Sequence, residues 1–276
     1  MNMPRLYWRD GSLALSPTCV MGIVNVTPDS FFGGSRAASV EAAVARAAAL
    51  AAEGAHVIDI GAESTRPGHA PVSAEEEQAR LLPVLEGIRA QLALPISVDT
   101  YKASTAAAAL ARGAVIVNDI QGLQGDPDMA RVAADHGAAV IAMHNRATVD
   151  ADIDILADMV AFFERTLAIA ARAGIGEASL VLDPGIGFGK TPRQNLVVIA
   201  HLAELRARFH QPILVGASRK SFINAVVPST PEERLPGTLA THLAAVAAGC
   251  EIIRVHDVAA HVQAFAVAAA IGNARS

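Results

Sequence analysis

Eight short apolar runs, each followed by a helix-forming segment, succeed one another from residue 18 onward, and this alternation limits the possible folds more than any other feature of the chain. The runs are residues 19–24, 56–60, 96–98, 114–117, 138–143, 179–182, 213–215 and 252–255. Several of them (Val57-Ile-Asp-Ile60, Val115-Ile-Val117, Ile213-Leu-Val215) read as apolar on both faces, as parallel strands covered on both sides do. Runs so short cannot be told from helix by periodicity, so the segments between them decide. Ser73-Ala-Glu-Glu76, Thr191-Pro-Arg-Gln194 and Thr230-Pro-Glu-Glu233 carry capping-box signatures, the last two with proline at the first helical position. Alanine-rich stretches lie at 42–52, 103–111, 239–248 and 258–270, and Gly54, Gly113, Gly137, Gly174 and Gly249 stand where a left-handed residue closes a helix. Eight βα units in a row predict an α/β fold, a single closed (β/α)8 TIM barrel, rather than an open doubly wound sheet.

Residues 1–17 read as an N-terminal β-hairpin over positions 6–15, turning at Asp10-Gly11 and placed beneath a barrel of residues 18–272. No linker or low-complexity run divides the 276 residues, so one domain is expected. With 52% hydrophobic and 18% charged residues the chain can bury a large sheet and is not disordered. A net charge of −5 argues against nucleic acid or an anionic membrane as a partner. No stretch of about 18 apolar residues lacks a charge or a breaker, and the first ten residues hold no signal core. A cytoplasmic protein without a membrane span is expected. Cys19 and Cys250 precede the first and last strands and are expected to be reduced, packed and inert. No cysteine and histidine spacing of a structural zinc site occurs.

In this fold ligands meet the loops that follow the strands. Those loops carry Asn25 and Thr27-Pro-Asp29, Gly61-Ala-Glu-Ser-Thr65-Arg66-Pro-Gly68, Asp99-Thr100, Asn118-Asp119, His144-Asn-Arg146, Asp183-Pro-Gly-Ile-Gly-Phe188-Gly-Lys190, Gly216-Ala-Ser-Arg219-Lys220-Ser221 and Arg254-Val-His256-Asp257. The opposite connections are mostly alanine, glycine and hydrophobic residues. Asp99, Asn118, Asp183 and Lys220 come from four strands and converge near the barrel axis. Carboxylates and an amide there suit a flat heterocycle with N–H donors along one edge. Asn25, Thr65, Arg66, Arg254 and His256 suit an anion, and Ser221 begins a helix whose N–H groups attract negative charge.

These segments resemble the signatures of the dihydropteroate synthases. Met21-Gly-Ile-Val-Asn-Val-Thr-Pro-Asp-Ser-Phe31 is similar to the family's first motif and Gly61-Ala-Glu-Ser-Thr-Arg-Pro-Gly68 to its second. Ser97-Val-Asp-Thr100, Val117-Asn-Asp-Ile120, Asp183-Pro-Gly-Ile-Gly-Phe-Gly-Lys190, Gly216-Ala-Ser-Arg-Lys-Ser221 and Arg254-Val-His-Asp-Val258 follow in order, so the resemblance spans residues 18–270. It implies condensation of 6-hydroxymethyl-7,8-dihydropterin diphosphate with p-aminobenzoate to give 7,8-dihydropteroate and pyrophosphate. It also implies roles. Asp99, Asn118, Asp183 and Lys220 would hold the pterin. Asn25 would ligate Mg²⁺ and, with Thr65, Arg66, Arg254 and His256, receive the diphosphate. Phe31, Pro67, Phe188, Arg219 and Ser221 would frame p-aminobenzoate. Asn25, Asp99, Asp183, Lys220, Arg254 and His256 form the implied catalytic set, and a homodimer through the last, alanine-rich helices is implied. Residues 30–34, Ser-Phe-Phe-Gly-Gly, are one position and one acidic group short of the family's usual loop.

Other readings of single residues stand beside these. Lys220 could be an ion-pair partner or form an imine, and Asp183-Pro-Gly could be a bare turn. Asp257 reads as the N-cap of the last helix. His201, His210, His242 and His261 read as ordinary helix residues. For the whole chain, a methyltetrahydrofolate-binding methyltransferase domain would not need the Ser-Thr-Arg-Pro-Gly loop or the Arg-Val-His pair. A non-catalytic pterin-binding paralogue would keep the binding residues without the reaction.

Overall fold

The computed structural model describes residues 4–26, 36–63 and 71–274. Phe31, Thr65, Arg66 and Pro67, together with the shortened segment 30–34, lie outside the described residues. Two strands, β1 (Arg5–Trp8) and β2 (Gly11–Ala14), pair antiparallel. Eight more form one parallel sheet: β3 (Cys19–Asn25), β4 (Val57–Gly61), β5 (Ile96–Asp99), β6 (Ile116–Asp119), β7 (Ala139–Met143), β8 (Leu180–Asp183), β9 (Leu214–Val215) and β10 (Ile252–Val255). Their order is β8-β7-β6-β5-β4-β3-β10-β9. The two ends meet at a parallel bridge between Leu182 and Ile213, where Leu182 N–H donates to Pro212 O at 2.9 Å, so the sheet closes into the expected barrel.

Side-chain alternation decides what each strand presents inward. Cys19, Met21, Val57, Ile116, Ala139, Ile141, Val181, Leu214 and Ile252 meet in one apolar cluster inside the lower barrel. Val20, Ile58, Val98, Val117, Val140, Leu182, Val215 and Ile253 face outward into a second cluster with the helices. Continuing the inward parity toward the strand ends reaches Asn25, Asp59, Asp99, Asn118, Met143, Asp183 and Arg254. One register therefore gives both a dry floor and a polar mouth.

The hairpin packs beneath that floor. Leu6 and Leu15 join the inner cluster at 0% and 2% exposure, each contributing about 1.5–3 kcal/mol of burial. Arg9 N–H donates to Gly137 O at 2.7 Å and its guanidinium to Asp135 O, tying the turn to the barrel's underside. The turn falls one residue earlier than its sequence suggests. Trp8 pairs with Gly11, leaving Arg9-Asp10 as the loop, and neither has positive φ. Gly11 serves a different need: a Cβ there would lie 2.8 Å from Trp8 Nε1.

Ten α-helices cover the sheet among the described residues: α1 (Arg36–Ala52), α2 (Ala74–Gln91), α3 (Ala103–Leu110), α4 (Met129–His136), α5 (Ile155–Ala173), α6 (Pro192–Ala200), α7 (Leu202–Arg208), α8 (Ser221–Val226), α9 (Leu235–Ala247) and α10 (Val258–Asn273). Ser73 caps α2 by accepting from Glu76 N–H, and Thr191 and Gln194 form a reciprocal capping box on α6. The box at Thr230 is also formed, but it opens a 3-10 turn, Pro231–Arg234, that leads into α9. None of these helices is long and apolar enough to cross a membrane. Cys19 and Cys250 are buried free thiols, pushed up to about 12 by burial.

Candidate active site at the barrel mouth

The ends of β5, β6 and β8 and the loop between β9 and α8 bring Asp99, Asn118, Asp183 and Lys220 into one cleft, whose wall also includes Ile120, Met143, Phe188, Gly216 and Arg254. Asp99 and Asp183 end their strands and Asn118 stands one residue before the end of its own, all three at inward positions. β5 and β8 run one residue beyond their apolar runs and β6 two, because the polar side chains end the apolar pattern while their backbones still pair. Asp99 stands in register with Gly61 and with Asn118, and Met143 with Asp183.

A buried charge network underlies the cleft. Arg254 Nε donates to Asp59 Oδ2 and Nη2 to Asp99 Oδ2, both at 2.6 Å. Asn118 Nδ2 also donates to Asp59 Oδ2, at 3.2 Å. Asp59 Oδ1 and Asp99 Oδ1 are buried without a partner. Burial raises Asp99 well above the usual carboxylate range, with Asp59 adding to the rise and Arg254 opposing it. Asp59 is 0% exposed and was not among the expected site residues, having been read as part of an apolar run. Its signal was present: a lone carboxylate in a buried strand requires a partner. Arg254 was expected with His256 at the rim. Instead it reaches down into the cleft, because two buried carboxylates attract a guanidinium more strongly than water does at the rim.

The loop after β8 supports the opposite wall. Asp183 Oδ1 accepts from Gly185 N–H at 2.7 Å, and Asn195 Oδ1 accepts from Gly187 N–H at 2.6 Å. Lys190, also missed beforehand as a positioning group, is buried and donates to Gly185 O at 2.9 Å, Phe188 O at 3.1 Å and His144 O at 3.4 Å. Burial pushes its amine down to about 7. Gly185 adopts φ 64, and a Cβ there would lie 1.9 Å from His144 O. This turn presents Phe188 to Lys220, whose Nζ lies over the ring. Burial lowers Lys220 to about 8, against the opposing charges of Asp183 and Asp99. Arg146 does not line this cleft; its Nη1 pairs with Asp158 Oδ1 at 2.8 Å on α5.

The rim after β9 and β10 carries the remaining described groups. Ser218 Oγ and His256 Nδ1 are 2.9 Å apart. Arg219, at φ 59, forks onto Asp257 with Nε–Oδ2 at 3.0 Å and Nη2–Oδ1 at 2.6 Å. Asp257 occupies the N-cap position of α10 but makes no side-chain cap; the guanidinium has claimed its carboxylate. Ser221 opens α8 as expected and is exposed there. Asn25 ends β3 half-buried, in register with Gly61.

The whole arrangement, a sealed barrel with acids, an amide and two cations at its open end, has close counterparts. A family model described as pterin binding enzyme matches residues 21–256. The dihydropteroate synthase of Bacillus subtilis is 48% identical over 241 residues, covering 87% of this chain and 84% of that protein. The Xanthomonas albilineans dihydropteroate synthase structure with 4-aminobenzoic acid superposes with a TM-score of 0.92 at 43% identity, covering 98% of this chain and 99% of that one. The same enzyme with 7,8-dihydropteroate gives 0.89 at 42% identity, over 98% and 99% of the two chains. The chain belongs to the pterin-binding enzymes and, within them, to the dihydropteroate synthase family.

Proposed function

We infer that this chain condenses 6-hydroxymethyl-7,8-dihydropterin diphosphate with p-aminobenzoate, forming 7,8-dihydropteroate and releasing pyrophosphate. The observation that carries the reading is the convergence of Asp99, Asn118, Asp183 and Lys220 in one cleft with Arg254 beside them. The carboxylates and amide would hold the N–H edge of the pterin, and Lys220 its acceptors. Arg254 and His256, with Thr65 and Arg66, would take the diphosphate. Phe188, Arg219 and Ser221, with Phe31 and Pro67, would frame p-aminobenzoate.

An aromatic amine is a weak nucleophile, so the enzyme gains most by easing departure of the leaving group. The bridging C–O bond breaks and its electron pair leaves with the diphosphate. The amine nitrogen forms the new C–N bond and releases a proton. Positive charge spreading from the methylene into the ring would be stabilised by Asp99 and Asp183, and negative charge on the leaving oxygens by Arg254 and His256. No covalent enzyme intermediate is needed.

The donor set suits magnesium held mainly by substrate. Among the described residues no group of three or more histidines, cysteines or acids could cage a metal ion. Asn25 offers a hard amide oxygen at the mouth, and Mg²⁺ commonly takes one or two protein ligands plus phosphate oxygens. Such an ion would supply charge neutralisation of the diphosphate. The buried thiols Cys19 and Cys250 fit a reducing, cytoplasmic compartment. Val267 and Ile271, 55% and 57% exposed on α10, support a homodimer through the last helices.

Pyrophosphate release, measured with the pterin diphosphate, p-aminobenzoate and Mg²⁺, tests the reading. Release that depends on p-aminobenzoate is expected. Binding of the pterin diphosphate without release would mark a non-catalytic binder.

A further inference from the structure

We propose that His242 and His261, two buried histidines outside the cleft, form a directional hydrogen-bond link that holds the β9 loop against the β10 loop and thereby positions the diphosphate and p-aminobenzoate side of the site. The proposal rests on the reading of the chain as a dihydropteroate synthase. Neither histidine lines the cleft, and both are 0% exposed.

The direction of the link is fixed by its ends. Ala217 N–H donates to His242 Nε2 at 3.0 Å, so that nitrogen is an acceptor and the proton of the neutral ring sits on Nδ1. His242 Nδ1 lies 2.8 Å from His261 Nε2, which must then accept. His261 Nδ1 carries the remaining proton and donates to Asp257 O at 2.6 Å. An amide that only donates and a carbonyl that only accepts leave one arrangement of protons. All four ring nitrogens are used, which offsets the cost of burying two imidazoles. Burial also keeps both rings neutral, with His242 pushed down to about 3 and His261 lowered.

The ends of the link fall beside the rim groups. Ala217 precedes Ser218, which meets His256, and Asp257 follows His256 and binds the guanidinium of Arg219. Thr238, one turn before His242 on α9, accepts from Arg219 N–H at 3.0 Å. Arg219 has a left-handed backbone, which a non-glycine residue keeps only when its surroundings hold it there. Packing alone would be met by two apolar side chains; the histidines add a tie between two specific loops.

The test compares His242→Leu with His242→Gln, whose amide can accept from Ala217 and donate to His261. Wild-type turnover is measured first; its absence would sink the functional reading and not this one. In His242→Leu, KM for p-aminobenzoate and for the pterin diphosphate should each rise about tenfold, because the rim groups lose the tie that places them. Binding of 6-hydroxymethylpterin, which lacks the diphosphate, should stay within about twofold, and His242→Gln should restore both KM values. His261→Leu cuts the same link at its other end and carries the test should His242→Leu fail to fold. Unchanged KM values, an equal loss of 6-hydroxymethylpterin binding, or a glutamine variant as poor as the leucine one would each overturn the proposal.

Discussion

Lys220 Nζ stands 4.0 Å from the centroid of the Phe188 ring. An ammonium on a ring face is held by the ring's quadrupole, and here the two residues come from loops after different strands. Each therefore fixes the other in the wall of the cleft. Lys220→Ala should weaken pterin binding and turnover together, and Phe188→Leu should weaken pterin binding roughly two- to fivefold. Calorimetric titration of the pterin diphosphate reads both; unchanged affinity would remove Lys220 from the pterin site.

The same lysine sets an alkaline limit. Its amine, lowered to about 8 by burial, is charged below that pH and neutral above it. Pterin affinity should decline between pH 7 and pH 9 as the cation is lost. Lys220→Arg keeps the charge throughout and should flatten that limb. A limb of the same midpoint in the arginine variant would assign it to another group.

Arg254 separates two carboxylates, so its removal should cost stability as well as binding. Arg254→Ala leaves Asp59 and Asp99 without their shared cation, a loss of about 3–5 kcal/mol. The sign of the pH effect follows from Asp99. Its native value is raised to about 7, so the folded state holds a proton that the unfolded state has released, and stability falls as pH rises from about 4 through 7. Denaturation midpoints should show a larger penalty for the variant at pH 8 than at pH 5. In binding, the diphosphate ester should suffer more than the free pterin; an equal loss would merge the two assigned pockets.

The loop after β8 should be intolerant of small changes. Gly185→Ala places a methyl group against a backbone carbonyl and demands a left-handed alanine, so a penalty of about 1–3 kcal/mol or more is expected. Lys190→Met removes the donor to three carbonyls and should likewise lower Tm, with weaker pterin binding because Phe188 loses its support. Thermal melts and pterin titrations on the two variants check this.

Oligomeric state is open to a direct measurement. Val267→Asp combined with Ile271→Asp places two carboxylates on the apolar face of α10 and should turn a dimer into a monomer in sedimentation. A wild-type chain that sediments as a monomer would end the expectation.

The barrel was legible in the sequence because eight strands repeat one physical pattern, and the cleft at its mouth because acids and amides stop apolar runs at the same end. What was missed shares a different cause. Asp59 sits inside an apolar run, and its meaning depends on Arg254, 195 residues away. Asp257 has the residue type of a cap, yet Arg219 takes its carboxylate, a competition no local window contains. His242 and His261 look like ordinary helix positions until α9 and α10 are side by side. The hairpin turn slipped because Gly11 was read for its backbone freedom when the Trp8 ring was the real constraint.

Inward side chains of the strands, with Leu6 and Leu15 packed beneath them, close the barrel from below, which leaves the cleft at its mouth a single opening. Whatever lies deepest must arrive first and depart last, since both journeys use the one opening. On the proposed reading, a pterin seated on Asp99 and Asp183 would be loaded ahead of the amine above it. Pyrophosphate, formed at the lip, would then drain away while the bulkier product is still inside.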